Sequence, residues 1–291
     1  MKNNYACPVC KSALDSKNCA RCGFRMKLAG GLPSFFTASP VSRRYEKIGA
    51  FYDTLYSHTE DIWNQLASRG REFDNFISSL VMAGGPVWYL DIGCGEGNLL
   101  AAVPASEKFG MDISRKALQV AAVRAGADLC LGFAEELPYK TEFFDAITSI
   151  GVMTHFANDR AATKEIWRVL RPGGRYIAGV FIPPRLTEKI AGKVSEFVFP
   201  RPRPAGFVRW LLTKFRRPVP GANQTEPGRK DRQPIERHYK SKEVERIFKD
   251  CGFKISKVIT KRKYPDAPLA GHHFRIYILT KDIRSATGQA S

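Results

Sequence analysis

The sequence has no long hydrophobic run and no apolar stretch near its first residue. No segment approaches the roughly 18 consecutive apolar residues that a bilayer-spanning helix needs. Residues 1–7 also lack the hydrophobic core of a secretory signal. We therefore expect no transmembrane helix and a cytoplasmic protein.

Acidic residues are scarce in this chain. It has 28 Asp and Glu against 46 Lys and Arg in 291 residues, which leaves a net charge of +18. Such an excess points to an anionic partner, either nucleic acid or a membrane surface. The length suits one large domain with a small appendage, and the hydrophobic fraction of 44% is ample for a core.

The chain has seven cysteines, but only one short segment holds more than one of them. Four of them form two C-x-x-C pairs, Cys7 with Cys10 and Cys19 with Cys22. This spacing can bring four thiolates onto one tetrahedral Zn²⁺. A closed four-cysteine site would be structural, and its metal would supply folding energy that about thirty residues cannot supply alone. The alternatives are a pair of disulfides, which a cytoplasmic location disfavours, and a redox dithiol, which needs only one pair.

A complete dinucleotide-binding fingerprint is also missing. That fingerprint is G-x-G-x-x-G, and counted from Gly93 its last position falls on Asn98. The chain instead has Asp-x-Gly-x-Gly-x-Gly, from Asp91 to Gly97, directly after an apolar run. Glycine lets the chain turn sharply out of a strand and bring its amides against a ligand. Because open α/β sheets bind cofactors at such turns, we predict a cofactor loop here.

A second acidic residue follows at the spacing expected for a ribose ligand. Asp112 ends the next predicted strand, 21 residues after Asp91 (112 − 91). A ribose-binding carboxylate is expected about 20 residues after the glycine motif. A carboxylate can accept both ribose hydroxyl hydrogens, and its charge disfavours a 2′-phosphate. The alternative is that Asp112 caps the helix predicted from residue 115, with Ser114 as a competing cap.

Strands and helices alternate over most of the chain. Helical periodicity over 42–83 precedes the first strand. Alternation implies a parallel, doubly wound α/β sheet. The predicted strands are 87–91, 108–112, 128–132, 143–150, 175–180, 253–260 and 274–280, and the predicted helices between them are 99–103, 115–125, 160–170 and 241–251.

The glycine motif and its surroundings resemble the class I S-adenosylmethionine (SAM)-dependent methyltransferases. Asp91–Gly97 resembles their motif I. Leu137–Tyr139 before Phe143–Asp145, together with Leu170–Gly174, resembles the branch that includes quinone C-methyltransferases, the methyltransferase type 11 branch. The resemblance covers residues 86–282. It implies a Rossmann-like, seven-stranded sheet whose last strand is antiparallel, with SAM as the cofactor.

Three regions follow from the motifs and the resemblance together. We predict a zinc ribbon over 1–38, a helical extension or lid over 39–85, and the SAM-binding methyltransferase domain over 86–291. A basic, proline-rich insertion over 183–236 interrupts the last of these.

The resemblance also implies which residues hold the cofactor. Asp91 and the loop amides would hold the methionine end of SAM, and Asp112 the ribose. Ile150 would lie beneath the sulfonium, and Tyr52 stands on a helix that covers the cofactor in similar proteins, with a core aromatic as the alternative. The implied cofactor-binding residues are Tyr52, Asp91, Gly93, Cys94, Gly95, Gly97, Asp112, Ile113, Ala134, Glu135 and Ile150.

One position departs from the pattern on the adenine side. Ile113 would lie against the adenine, and residues 132–138 match the stretch that borders the adenine edge. Many relatives have Asp where this chain has Phe133, and that Asp accepts a hydrogen bond from the adenine amino group. Either a backbone carbonyl near Ala134 replaces this acceptor, or Phe133 contributes an apolar contact.

A general base is needed only if the acceptor must lose a proton during methyl transfer. His155, just after the fourth predicted strand, is the best candidate because this position overlooks the methyl group in similar enzymes. The alternative is a histidine that satisfies a loop hydrogen bond. His238, His272 and His273 are weaker candidates.

The insertion bears on the acceptor. Apolar and aromatic residues interleave with Lys and Arg over 190–217. That pattern is typical of a segment resting on anionic lipid, and equally of one contacting RNA; a solvated lid is the third reading.

Three functions remain open from the sequence. We favour methylation of a small, lipophilic acceptor, with peripheral contact to an anionic membrane. The second is methylation of an rRNA or tRNA base, since a four-cysteine ribbon before this domain resembles large-subunit rRNA guanine N1-methyltransferases. The third is an inactive cofactor-binding subunit that docks a partner through the ribbon.

Overall fold

The computed structural model describes residues 4–14, 17–58, 71–85, 87–182, 237–269 and 273–282. The predicted insertion, 183–236, lies outside these residues, and so does His272. Among the residues described, no helix is long and apolar enough to cross a membrane. All of them belong to one compact unit.

The described residues form helices and strands that alternate from residue 88 onward, as predicted. The helices are α1 (Pro40–His58), α2 (Arg71–Met82), α3 (Asn98–Ala102), α4 (Arg115–Arg124), α5 (Asp159–Val169) and α6 (Ser241–Asp250), with short 3₁₀ turns at Ala134–Glu136 and Met153–His155. The strands are β1 (Lys27–Ala29), β2 (Leu32–Ser34), β3 (Trp88–Ile92), β4 (Glu107–Asp112), β5 (Asp128–Leu131), β6 (Phe144–Ile150), β7 (Leu170–Phe181), β8 (Phe253–Ile259) and β9 (Phe274–Lys281).

The strands form one mixed sheet in the order β1-β2-β5-β4-β3-β6-β7-β9-β8. Strands β5, β4, β3, β6 and β7 run parallel to one another. Strand β9 is antiparallel to both of its neighbours, β7 and β8. The α/β, Rossmann-like architecture with an antiparallel last strand is therefore confirmed. Strand order reverses between β4 and β6, at β3, so the end of β3 is the switch point where open sheets bind ligands.

The amino-terminal region adds two strands to the main sheet, which the seven-stranded prediction did not include. β1 and β2 form a hairpin whose turn places Gly30 and Gly31 at φ of +62° and +84°. β2 then pairs in parallel with β5, with Ser34 opposite Leu131. The residues that the structure describes form a sheet of nine strands, compared with the seven predicted. Such short strands carry little sequence signal, because their pairing depends on a partner far along the chain.

Helices α4 and α5 begin at side-chain caps. Ser114 accepts a hydrogen bond from the amide of Ala117 and is the N-cap of α4. Asn158 caps α5 in the same way, by accepting from Ala161. The alternative in which Asp112 caps α4 is therefore wrong, because the hydroxyl of Ser114 already occupies the capping position.

Strand β7 starts earlier than predicted. Leu170 pairs with Phe144, and the register then shifts, so that the next pair joins Ala146 to Arg175. The residues between them bulge out of the ladder because Gly173 adopts φ of +76°. The strand was predicted only from residue 175, where regular pairing resumes.

The sheet buries a hydrophobic cluster on each face. Alternate residues of β3 point to opposite sides, so Leu90 belongs to one cluster and Tyr89 to the other. Tyr5 and Phe35 from the amino-terminal region are part of the same cluster as Leu90. The cysteine-containing segment thus packs into the core of the sheet.

Candidate functional site

The loop after β3 has the backbone that its glycines permit. Gly93, Gly95 and Gly97 have φ of +70°, +52° and +77°. A Cβ on Gly93 would lie 2.4 Å from Cγ2 of Val152. The amide of Gly93 donates to the carbonyl of Met111 at 2.7 Å, which ties the loop to β4. Both the torsion and the crowding therefore require glycine at position 93.

Asp91 is buried at the start of this loop and held by a hydroxyl chain. Asp91 is only 4% exposed. The Thr148 hydroxyl donates to Oδ1 of Asp91 at 2.6 Å, and the Tyr89 hydroxyl lies 2.6 Å from that of Thr148. The carboxylate is thereby oriented by β6 at the edge where the loop begins.

Asp112 accepts hydrogen bonds from two backbone amides, one of which belongs to the glycine loop. Its Oδ2 accepts from the amide of Gly95 at 2.9 Å, and its Oδ1 accepts from the amide of Ser114 at 2.8 Å. Burial raises the pKa of Asp112 above its usual value, and the hydrogen bonds from these amides offset only part of that effect. Each carboxylate oxygen can accept a further hydrogen bond, so the arrangement suits the ribose ligand that the sequence predicts.

A pocket opens beside the glycine loop. Asp91, Gly93, Cys94 and Gly95 line one wall, as predicted for cofactor-binding residues. Ile150, at the end of β6, also lines it. These five predicted residues are brought together by the carboxyl ends of β3 and β6.

The pocket contains acidic and aromatic residues that the sequence analysis missed. Glu96 and Asp74 join Asp91 in its lining, and Phe73 supplies an aromatic face. Glu96 is 5% exposed. It could have been noticed as an acidic residue inside the glycine motif, whereas Phe73 and Asp74 of α2 had no signal beyond helical periodicity. Three carboxylates create an environment that favours a cationic ligand over a neutral one.

We expect Glu96→Gln to weaken SAM binding by about tenfold and S-adenosylhomocysteine binding by less, because only SAM carries the sulfonium charge. Calorimetry with both ligands measures the ratio of the two affinities. Glu72→Gln, at an exposed carboxylate of α2, is the matched control and should change neither. Equal losses for the two ligands would contradict a role for Glu96 in recognising charge.

Helix α1 packs against residues 113–116, which include Ile113, a residue predicted to lie against the adenine. A Cβ on Gly49 would lie 2.5 Å from the carbonyl oxygen of Ile113. Oδ1 of Asp53 accepts from the Ser114 hydroxyl at 2.7 Å and from the amide of Lys116 at 2.9 Å. Tyr52 is buried and packs edge-on against Phe51 with ring centroids 5.5 Å apart. Its ring is not part of the pocket lining beside the glycine loop.

Glu135 lies between α1 and α5. Its Oε1 accepts from the Tyr45 hydroxyl and from the amide of Asn158, both at 2.9 Å. Its Oε2 is buried and has no hydrogen-bond partner among the described residues. Burial raises the pKa of Glu135. The neighbouring Ala134 is buried in the same turn.

Phe133 has an apolar role. It is 3% exposed and stacks on Tyr45, with centroids 4.8 Å apart and rings 22° from parallel. Phe36, from the segment after β2, stacks on it at 6.1 Å. At this position, where the resemblance implied an adenine acceptor, the chain has a ring that joins the amino-terminal region to α1.

The candidate histidines His155, His238 and His273 are not among the residues that line the pocket beside the glycine loop. His155 is half-buried in the 3₁₀ turn after β6, and its carbonyl accepts from the Tyr45 hydroxyl at 3.3 Å. It is not part of the pocket lining. The ring of His273 lies edge-on to Phe181 at 6.3 Å. His238 is exposed.

The four predicted metal ligands converge. The sulfur atoms of Cys7, Cys10, Cys19 and Cys22 all lie within 4.8 Å of one another. The two turns are alike: the amide of Lys11 donates to the carbonyl of Cys7, and that of Gly23 to the carbonyl of Cys19, both at 2.9 Å. Lys11 and Gly23 both have positive φ, +61° and +75°.

A serine hydroxyl supports these sulfur atoms. Oγ of Ser12 lies 3.0 Å from Sγ of Cys10 and 3.2 Å from Sγ of Cys19. It lowers the pKa of Cys19 to about 6 and also lowers the pKa of Cys10. Burial raises the pKa of Cys7 to about 12, and a coordinated metal would hold that thiol deprotonated. Four sulfurs with this spacing fit a tetrahedral zinc ion.

The sheet order, the left-handed glycine loop and the carboxylate on the next strand are those of the class I SAM-dependent methyltransferases. The family described as "Methyltransferase domain" matches residues 90–178, so the chain carries a SAM-dependent methyltransferase domain over these residues.

Individual relatives agree with this assignment. Demethylmenaquinone methyltransferase of Deinococcus radiodurans is 33% identical over 158 residues, 50% of this chain and 66% of that protein. A tRNA (carboxymethyluridine(34)-5-O)-methyltransferase of Arabidopsis thaliana is 29% identical over 157 residues, 52% of this chain and 36% of that protein. The chain therefore spans between about a third and two thirds of the length of these two curated relatives.

Solved structures share the fold. Magnesium protoporphyrin IX methyltransferase from Synechocystis PCC 6803, with SAH bound, has a TM-score of 0.52 to this chain at 15% identity. The likeness covers 81% of this chain and 99% of that one. At this identity the similarity concerns the fold alone.

Proposed function

We propose that this protein transfers a methyl group from SAM to a small, lipophilic acceptor by O- or C-methylation, and that its ribbon holds a structural zinc. In this proposal the glycine loop, Asp91 and Asp112 hold the donor. Methyl transfer from a sulfonium is an in-line displacement, so alignment of nucleophile, methyl carbon and sulfur supplies much of the rate.

The observation that carries the acceptor class is the apolar, aromatic edge beside the donor pocket. Phe73 and Ile150 line that pocket. Phe274, at the start of β9, packs edge-on against Phe73 with centroids 6.0 Å apart. Phe181, at the end of β7, is 44% exposed. Apolar side chains bind a lipophilic ring more readily than a charged acceptor, and similarity to a demethylmenaquinone methyltransferase supports the same class.

A methylated base in RNA is the second candidate. Helix α1 exposes Arg43, Arg44 and Lys47 on one side, and cations in this arrangement suit a phosphate backbone. Similarity to a tRNA methyltransferase supports it. The predicted contact of the insertion 183–236 with lipid or RNA stays a prediction, as do the cytoplasmic location and peripheral membrane association.

Binding to anionic liposomes and to total RNA, compared across a salt series, separates these candidates. The small-molecule proposal predicts that RNA binding is weak and that liposome binding is measurable. RNA affinity that falls steeply with salt, without liposome binding, would overturn it. Mass spectrometry of co-purified ligand or methylated product would then identify the acceptor.

The proposed general base is His155. We expect His155→Ala to reduce turnover by about a hundredfold if the acceptor loses a proton in the reaction, and to leave SAM affinity unchanged. Steady-state kinetics and calorimetry measure the two quantities. His238→Ala, at an exposed histidine, is the matched control. Undiminished turnover in His155→Ala would remove this role.

A further inference from the structure

Residues 131–139, which contain the predicted adenine-side stretch 132–138, are hydrogen-bonded to the amino-terminal ribbon at both ends of the segment. The amide of Phe35 donates to the carbonyl of Leu131 at 2.9 Å. At the other end, the amide of Ala6 donates to the carbonyl of Pro138 at 2.9 Å, and Tyr5 pairs with Tyr139 in an antiparallel bridge. Neither end of this segment can move without breaking a bond to the ribbon.

Side chains in the middle of the segment are held from the same direction. The hydroxyls of Thr37 and Ser39 donate to the two carboxylate oxygens of Glu136, each at 2.9 Å. Phe36 stacks on Phe133, which in turn stacks on Tyr45 of α1. The residues that follow β2 therefore fix both a carboxylate and a buried ring of the segment.

These contacts begin next to the metal ligands. Tyr5 and Ala6 immediately precede Cys7, and the carbonyl of Tyr5 accepts from the amide of Leu14 at 3.2 Å across the first knuckle. The Tyr5 ring lies 4.8 Å from that of Phe35 and 5.6 Å from that of Tyr139. A change in the conformation of the two C-x-x-C turns would thus displace side chains that contact residues 131–139 directly.

We propose that metal loading of the four-cysteine site sets the affinity of the donor pocket for SAM, with the contacts of Tyr5, Phe35, Phe36 and Glu136 as the positioning link. The inference rests on the proposed zinc ribbon. The test uses S-adenosylhomocysteine (SAH), the demethylated form of SAM. Because a coupling between two binding sites is reciprocal, SAH must tighten zinc binding by the same factor by which zinc tightens SAH binding. Couplings of this kind are typically about 5- to 150-fold.

The first experiment measures both directions on the full chain. SAH affinity is determined by calorimetry with the zinc-loaded and zinc-depleted protein, and zinc affinity by competition with a chelator, with and without SAH. We expect changes of about tenfold in both, equal within error. Hydrogen exchange should rise over 131–139 on zinc removal while β8, at the opposite edge of the sheet, stays protected.

The second experiment removes one contact between the ribbon and residues 131–139 and leaves the four cysteine ligands unchanged. Phe36→Ala should retain zinc, bind SAH more weakly and lose most of the coupling. Tyr264→Ala, at a 38% exposed ring that contacts Lys257, is the control and should keep the coupling. Zinc affinity that is unchanged by SAH would overturn the inference alone. Absence of bound zinc in reducing buffer would overturn both the metal centre and the inference.

Discussion

Gly93→Ala is expected to weaken SAM binding by about a hundredfold, because overpacking costs about 1–3 kcal/mol and each 1.4 kcal/mol or so is a factor of about ten in affinity. A Cβ at this position lies 2.4 Å from Cγ2 of Val152, so either the loop or the 3₁₀-turn segment must shift. The φ of +70° adds strain of about 1 kcal/mol for any residue with a Cβ. Calorimetry gives the affinity, and thermal unfolding gives the stability.

Two further variants separate crowding from torsion at this glycine. Gly126→Ala introduces a Cβ at φ of +56° where nothing lies within 4 Å, so it should show the torsional cost without loss of SAM binding. Gly93→Ala combined with Val152→Ala removes the methyl carbons at 2.4 and 3.0 Å, leaves the Cβ at 3.3 Å, and should recover part of the affinity. Full SAM affinity in the single Gly93→Ala variant would contradict the assignment of this loop as the donor site.

Loss of the metal centre is the second large effect that we expect. Cys7→Ser should lower the free energy of unfolding by about 4 kcal/mol or more, because a structural zinc contributes directly to folding. Here the consequence extends beyond the ribbon, since Tyr5, Cys7 and Phe35 are all fully or almost fully buried in one core cluster with Tyr139. Chemical denaturation, with zinc content measured in parallel, tests this expectation.

A second cysteine provides the comparison. Cys251 is 8% exposed and lies at the end of α6, away from the four sulfurs. Cys251→Ala should retain zinc and cost about 1 kcal/mol, the usual effect of a small core truncation. If Cys7→Ser keeps its metal and its stability, the four cysteines do not form a structural zinc site.

Local patterns were sufficient to predict the glycine loop. Asp91, the alternating glycines and the apolar run before them are adjacent in the chain, so a sharp glycine turn at the end of a strand could be predicted from their spacing. The strand and helix positions from β3 onward were also predictable, because hydrophobic periodicity reports burial within each element. Convergence of Cys7, Cys10, Cys19 and Cys22 likewise followed from two short repeats.

Contacts between distant segments were not predictable. Glu96 and Asp74 share a pocket because α2 packs against α3, the helix that follows the glycine loop, and no local pattern reports that packing. Asp112 could be read either as a ligand or as a helix cap until Ser114 was found to cap α4.

The role of Phe133 illustrates the same limit. Its departure from an acidic residue was visible in the chain, but its two stacking partners, Phe36 and Tyr45, come from separate segments. The chemistry of the donor loop and of the cysteine cluster is thus encoded in residues close together in the chain. The joining of the ribbon to the sheet and the acidic lining of the pocket depend on folding, because each needs surfaces that become neighbours only when the core forms.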